Sequence, residues 1–320
     1  MKMISSENII LKDGSTVKAS VPMIISASRA TDIPAFFSKW LINSFERGYA
    51  ARINPFNGRK YAISFSNCRF IVFWSKNYQP MMNYINYFSK RNIDFYFQYT
   101  LNDYESENME PGIPTLDSRI CNFINLSSEY GSDRMVWRFD PLILTDRLNV
   151  VTLAERILRI YEKISTHTSS LVVSFADIEK YRKVKRNMTK SGIDYREWND
   201  ELTDKFCSIL FSNLKNTDLK ITTCAEKPVP EKYGIYPGAC IDADRIKLLS
   251  ASAAFETIRQ SDMERKDPGQ RKYCRCIQSR DIGSYGTCSN YCTYCYANNS
   301  EYEVIRNLKR FDPEGEGLCC

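Results

Sequence analysis

The feature that most constrains this chain is a repeated alternation running from about residue 23 to residue 224. Short apolar runs at 23–27, 69–74, 95–100, 135–139, 171–175 and 219–224 have the length of strands, and 49–54 reads as one more. Between them, 34–47, 79–91, 118–130, 151–163 and 198–214 carry apolar residues at helical spacing. In the first of these, Phe36, Phe37, Trp40, Leu41 and Phe45 form the apolar stripe and Gly48 is the stop. Strands of this length separated by helices argue for parallel βαβ units. Six or seven units in one run favour an α/β fold of the full or partial TIM-like barrel kind over an open sheet.

No linker rich in Pro, Gly or Ser divides the chain. The organisation expected is an N-terminal hairpin appendage (1–22) turning at Asp13-Gly14 and βα barrel units (23–225). A cysteine-rich region (226–312) then completes the barrel, and a tail (313–320) ends it. The tail and its terminal Cys319 and Cys320 are expected to be disordered.

A chain of 320 residues, 43% hydrophobic and 26% charged, is long enough for a core that needs no staples. No apolar run approaches the roughly 20 residues needed to span a bilayer, and the N-terminus lacks a signal-like apolar stretch. A cytoplasmic protein without membrane partners is therefore expected. Such a compartment disfavours disulfides, so 12 cysteines, most of them after residue 239, call for metal or redox chemistry. The single histidine, His167, excludes His-rich zinc centres and His-based iron oxygenases. The net charge of +6 is mild and dispersed, which gives nucleic-acid binding weak support, and the basic run 180–190 reads as a solvated face.

In parallel α/β folds the site lies at the carboxyl ends of the strands. Those ends carry Arg29 and Asp32, Arg52 and Asn54, Lys76 and Asn77, Gln98 and Thr100, Arg138 and Asp140, Ser174 and Asp177, then Glu226. Some of these will cap helices or pair with one another. The set as a whole reads as a pocket lining, with Arg29, Asp32, Lys76, Gln98, Arg138 and Asp140 as candidate catalytic residues. Trp137-Arg138-Phe139-Asp140-Pro141 is the most informative stretch, because it sets two charges among aromatics at a strand end.

Cys288-Ser-Asn-Tyr-Cys292-Thr-Tyr-Cys295 has the spacing CxxxCxxC. Three thiolates so close together can hold three corners of a 4Fe–4S cluster and leave one iron open. Structural zinc usually shows two CxxC knuckles, and the extra residue in the first gap argues against it. The polar neighbours, with Gly283 and Gly286 just before, make this a loop and not a packed strand. Cys224, Cys240, Cys274 and Cys276 form a second candidate metal set, for another iron–sulfur cluster or zinc. Free thiols, or service to the first cluster, are the alternatives. Cys68, Cys121 and Cys207 read as small buried hydrophobes.

The cysteine motif resembles the signature of the radical S-adenosylmethionine (SAM) enzymes, including the aromatic Tyr294 before the third cysteine. That resemblance implies a full or partial βα barrel and SAM chelated at the open iron. It also implies reductive cleavage to a deoxyadenosyl radical, with an electron donor such as flavodoxin or ferredoxin and a small-molecule or nucleotide substrate. The family carries its cysteines after its first strand, whereas here they lie near the C-terminus. A circular permutation reconciles the two, with 279–287 as the first strand and loop and 301–311 as the helix that follows. Ser26 to Arg29, with Ser28 at the cofactor, stands where the family has a glycine-rich motif.

The chain as a whole also resembles the DUF1848 family of uncharacterised bacterial proteins. The matching stretches are Ile24-Ile-Ser-Ala-Ser-Arg29 with Thr31-Asp-Ile-Pro34, Asn54-Pro-Phe-Asn57, and Phe73-Trp-Ser-Lys-Asn77. Trp137-Arg-Phe-Asp-Pro141, Thr223-Cys-Ala-Glu226 and the segment from Cys288 to Asn298 complete them. This implies the same cysteine cluster and no established reaction. Two other functions stay open: a non-catalytic iron–sulfur redox or electron-transfer protein, and a zinc-stabilised nucleic-acid-binding module.

Overall fold

A computed structural model describes residues 4–53, 58–226, 231–250, 266–268 and 270–319. The chain begins with an antiparallel hairpin, β1 (Ile4–Ile10) and β2 (Thr16–Pro22), whose turn is fixed by Ser15 N–H donating to Asp13 Oδ1 at 2.9 Å. β3 (Ile24–Ala27) leads to α1 (Ile33–Phe36) and α2 (Ser38–Arg47). The single helix expected over 34–47 is thus broken at Phe37, while Gly48 ends it in the left-handed region at φ 89°.

The next pair, β4 (Tyr49–Ile53) and β5 (Lys60–Ser64), is antiparallel. It does not continue the βα pattern, contrary to the expectation for 49–54. It joins the N-terminal hairpin through β2 and β5 in a four-stranded sheet, so the hairpin is part of a second sheet. Asn54 to Asn57 lie outside the described residues.

The alternation resumes with β6 (Phe70–Ser75), α3 (Met82–Ser89), β7 (Asp94–Thr100), α4 (Leu116–Tyr130) and β8 (Met135–Leu142). The short β9 (Leu144–Thr145) precedes α5 (Val150–Ile164) and β10 (Ser170–Phe175). α6 (Arg182–Lys190), β11 (Tyr195–Arg196), α7 (Asp200–Leu214) and β12 (Lys220–Cys224) follow. The basic run is therefore a helix, solvated on one side and anchored by buried Val184 and Met188 on the other. β13 (Ile235–Gly238), α8 (Ala243–Leu249), β14 (Arg280–Asp281) and α9 (Glu301–Arg310) complete the order.

Eight of these strands form one parallel sheet in the order β13-β12-β10-β8-β7-β6-β3-β14. Each strand neighbours the one before it in sequence, except β14, which returns to the far edge beside β3. Arg280 pairs with Ile25 and Asp281 with Ser26. The fold is α/β with a large parallel sheet and helices, and no pairing of β13 with β14 is found among the described residues.

Side chains alternate between two buried faces, which is why these strands read as continuous apolar runs. Ile71, Phe73, Phe95, Phe97, Trp137, Phe139, Leu171 and Val173 pack against the helices. Phe70, Val72, Tyr96, Val136 and Val172 face the other way, onto Ile241, Ile246 and Ile277. The segments around α8 and before β14 therefore cover the second face. Trp74, Gln98, Arg138 and Ser174 stand on that face by the same alternation, one step nearer the carboxyl ends.

The tail is ordered, contrary to expectation. Ala51 N–H donates to the Glu316 carbonyl at 2.7 Å, Trp40 Nε1 donates to the Gly315 carbonyl at 3.1 Å, and Leu318 is buried. Cys319 is exposed, and Cys320 lies outside the described residues. Cys68 and Cys207 are buried as expected, but Cys121 is exposed, because it falls on the outer side of α4.

Candidate functional site

The loop carrying Cys288, Cys292 and Cys295 leaves the sheet from β14 and is fastened across the carboxyl ends of β3, β6 and β7. Its root is Asp281. That carboxylate accepts from Ser26 Oγ at 2.9 Å, Ser28 Oγ at 2.7 Å, and the backbone N–H groups of Arg29 at 2.7 Å and Gly283 at 2.9 Å. A Cβ at Gly283 would stand 1.9 Å from Ser28 Oγ, so only glycine lets the loop pass. Ser28, expected at a cofactor, holds the loop root through this bond to Asp281.

Asp32 is the second fastening. It is buried and accepts from Ser75 Oγ at 2.6 Å, Lys76 N–H at 3.0 Å, Ala35 N–H at 3.1 Å and Asn290 Nδ2 at 3.0 Å. Burial raises its pKa above the ordinary carboxyl value. Asp32 is therefore a capping and loop-holding group, with its oxygens committed.

The third fastening was not evident in the sequence. Glu110, buried in the connection between β7 and α4, accepts from Lys76 Nζ at 2.7 Å and Asn102 Nδ2 at 3.1 Å, and from the Tyr294 hydroxyl. Arg119 Nη1 lies 3.9 Å from its other oxygen. Burial alone would raise its pKa, but Lys76 and Arg119 hold it below the usual range. Gly112 N–H donates to the Asn290 carbonyl at 3.1 Å, Thr293 N–H donates to the Met109 carbonyl at 2.9 Å, and a Cβ at Gly112 would stand 2.3 Å from the Ser289 carbonyl oxygen. No motif marks these positions; the one signal was a long polar connection with a glycine.

Within the loop, Cys295 N–H donates to the Cys292 carbonyl at 3.0 Å and Ala297 N–H donates to Cys295 Sγ at 3.3 Å. Burial pushes the Cys288 thiol up to about 12 and also raises Cys292, and the three sulfurs lie close enough to influence one another's charge. Lys76 opposes the rise at Cys292.

The second cysteine set is gathered from three segments: Cys224 at the end of β12, Cys240 just after β13, and Cys274 and Cys276 before β14. Cys224 Sγ is 3.2 Å from Cys240 Sγ, and Cys240 and Cys276 pack in one cluster with Cys224 and Cys274 at its edge. The neighbouring Cys276 thiol brings the Cys274 thiol down to about 7. Arg138, fully buried, donates to Cys240 Sγ at 3.0 Å, to Gln98 Oε1 at 3.0 Å and to Asp140. Burial opposes ionisation of Asp140, but Arg138 keeps its pKa low. Gln98 donates to the Cys240 carbonyl at 2.8 Å, and Ser174 donates to Asp140.

Of the candidate catalytic residues, Asp32 and Lys76 thus belong to the cysteine loop, and Gln98, Arg138 and Asp140 to the second cysteines. Arg29 lies between: it donates to Ser279 Oγ at 3.0 Å and is 3.8 Å from Asp267. The guanidinium carbons of Arg29 and Arg138 stand 5.8 and 5.2 Å from the centre of the Trp74 ring, whose buried Nε1 has no partner among the described residues. Arg52 reaches the carbonyl of Asp281 at 2.5 Å. Asp177 pairs with Lys180 on the surface, and burial raises Glu226 to about 7. Asn77 caps the following turn by accepting from Gln79 N–H at 3.1 Å.

Among the described residues, no group of three or more His, Cys, Asp or Glu side chains is arranged to hold a metal ion as it stands. A single tetrahedral ion draws its sulfurs to about 3.8 Å from one another, from Zn–S bonds of about 2.3 Å. A four-iron cluster holds its thiolates farther apart. The donor chemistry of both cysteine sets is soft and suits zinc or iron–sulfur.

No helix among the described residues is long and apolar enough to cross a membrane. A family model described as a domain of unknown function (DUF1848) matches residues 24–297. No curated protein and no solved structure matches the chain.

Proposed function

The chain belongs to the DUF1848 family, and from that premise we propose that it is an iron–sulfur enzyme of the radical SAM type, built on a circularly permuted TIM-like barrel. One observation carries the reading. The CxxxCxxC loop follows β14, and β14 lies beside β3 at the edge of the parallel sheet. In space the cysteines therefore occupy the loop after the first strand of a βα series, although they come last in sequence.

Cys288, Cys292 and Cys295 are the ligands in this reading. They are half-buried soft donors in a loop tied down at three points, which suits a site that must keep one geometry while its thiols give up their protons. A bound 4Fe–4S cluster with an open iron supplies one-electron reduction of SAM. The chain's own contribution is positional and electrostatic. Lys76 sits between Glu110 and Tyr294 beside Cys292 and offsets thiolate charge there. Arg29 presents a cationic plane at Trp74, suited to a carboxylate or phosphate on cofactor or substrate, while Arg138 on the same ring is held by Gln98, Asp140 and Cys240.

Anaerobic reconstitution with iron and sulfide tests the reading. About four irons per chain at the loop, an electron paramagnetic resonance signal that changes on adding SAM, and 5′-deoxyadenosine after dithionite reduction are expected. A cluster indifferent to SAM would overturn the enzyme reading in favour of an electron carrier. Zinc without iron or sulfide at these three cysteines would overturn the cluster.

A further inference from the structure

The geometry points to a second metal centre, a single tetrahedral zinc-type ion held by Cys224, Cys240, Cys274 and Cys276, separate from the loop cluster and independent of the radical reading. Three parts of the chain far apart in sequence deliver these four sulfurs to the second face of the sheet. Cys224 is placed by the parallel pairing of β12 with β13, in which Cys224 stands opposite Gly238. A Cβ at Gly238 would come within 2.7 Å of the Thr222 side chain, so glycine permits the close approach that brings in Cys240 two residues later. Cys274 and Cys276 arrive on a turn whose backbone is pinned twice. Ile277 N–H donates to the Ile241 carbonyl at 3.1 Å, and Asp267 N–H donates to the Cys276 carbonyl at 3.0 Å.

Three of the four sulfurs also accept N–H donors. Arg138 Nη1 is 3.0 Å from Cys240 Sγ, Ile241 N–H is 3.4 Å from Cys276 Sγ, and Arg271 Nη2 is 3.7 Å from Cys224 Sγ. A neutral thiol is a weak acceptor. Two guanidinium groups and a backbone amide aimed at sulfur are the supporting shell of metal-bound thiolates. Four thiolates around a divalent ion leave two negative charges, and Arg138 and Arg271 face them.

The choice of one ion over a cluster follows from size. Cys224 and Cys240 are 3.2 Å apart, against about 3.8 Å around zinc. The Cys224–Cys240 pair needs to open by about half an ångström to reach that spacing. A cubane would need a far larger opening among packed Ile241, Ile246 and Ile277. Each ligand binds as thiolate, so four protons leave as the ion enters.

The test uses the full chain carrying Cys288→Ala, Cys292→Ala and Cys295→Ala, which removes the loop cluster and leaves the second set intact. Purified with zinc and then titrated with cobalt(II), it should bind one metal per chain. The cobalt form should show the intense visible bands of tetrahedral coordination and the charge transfer of four thiolates. Alkylation should spare the four thiols of this set when metal is bound, besides buried Cys68 and Cys207. A further Cys240→Ser change should lower occupancy at least tenfold, and if that variant does not fold, the cobalt spectrum of the parent triple variant decides alone. Iron and sulfide at these four cysteines would overturn the single-ion assignment. A metal-free protein with a Cys224–Cys240 disulfide would overturn the metal centre altogether. Either result leaves the loop-cluster test untouched.

Discussion

The two cysteine groups are built in opposite ways. The loop group draws all three sulfurs from one short stretch, and the fold's task is to fasten that stretch to the sheet through Asp281, Asp32 and Glu110. The second group draws four sulfurs from separate segments, and the fold's task is to bring them together at all. In the first, local spacing sets which atoms can act and the tertiary structure sets where. In the second, spacing along the chain says little, and strand pairing decides which cysteines meet. The polar residues at the strand ends divide the same way: Lys76 and Asp32 serve the loop, and Arg138, Gln98 and Asp140 serve the second group.

The sharpest way to break this comparison is to remove one buried charge from each region. Glu110→Ala strands Lys76 and Arg119, and Arg138→Ala strands Asp140. Each is expected to cost about 3–5 kcal/mol in denaturant unfolding. The effects should separate locally: Glu110→Ala should expose the 288–295 loop to hydrogen exchange, while Arg138→Ala should speed alkylation of Cys240. Equal exposure of both regions in both variants would show that they are one unit. Glu110 also gives a pH signature. Its pKa is depressed in the folded state, so its stabilisation is present above the ordinary value of 4.5 and is lost as pH falls below it. Glu110→Gln should flatten that acid limb.

Gly112→Ala comes next. Its Cβ would meet the loop backbone at Ser289 and Asn290, and backbone cannot step aside as a side chain does. A loss of about 1–3 kcal/mol is expected, with weakened iron uptake at the loop and unchanged metal binding at the second group.

Glu107 lies in the same connection as Glu110 and is enclosed with its own partner. Arg156 Nη1 and Nη2 donate to it at 2.7 and 2.8 Å, and Glu107→Gln should cost about 1.5–3 kcal/mol with no change in the loop. Tyr294→Phe removes a hydroxyl bonded to Lys76, Asn102 and Glu110 and should cost about 1 kcal/mol. Unchanged stability would show that this hydroxyl adds nothing to the fastening.

Much of the fold was legible because periodicity is written locally. Strands and helices recur at the expected places, since buried parallel strands must be apolar on both faces and helices on one. The departure at β4 has a clear cause. Tyr49–Ile53 has strand composition, but pairing direction is a tertiary choice, and its antiparallel partner Lys60–Ser64 draws it into the smaller sheet. The ordered tail escaped notice because its anchors are mostly backbone carbonyls, such as that of Gly315 meeting Trp40, and these have no sequence signature. Glu110 and Asp281 escaped for a related reason: an isolated carboxylate in a connection looks like any solvated one until burial gives it partners.

The sequence by itself determined the α/β class, the cysteine spacing at 288–295 and the soft character of any metal chemistry, because each follows from residue type and local period. Only the tertiary structure decided that the last short strand returns beside β3, that Ser28 and Asp32 fasten a loop some 250 residues away, and that Cys224, Cys240, Cys274 and Cys276 come into one cluster. Contacts at such separation depend on which strands pair and what covers them, and that is fixed by burial over the whole sheet.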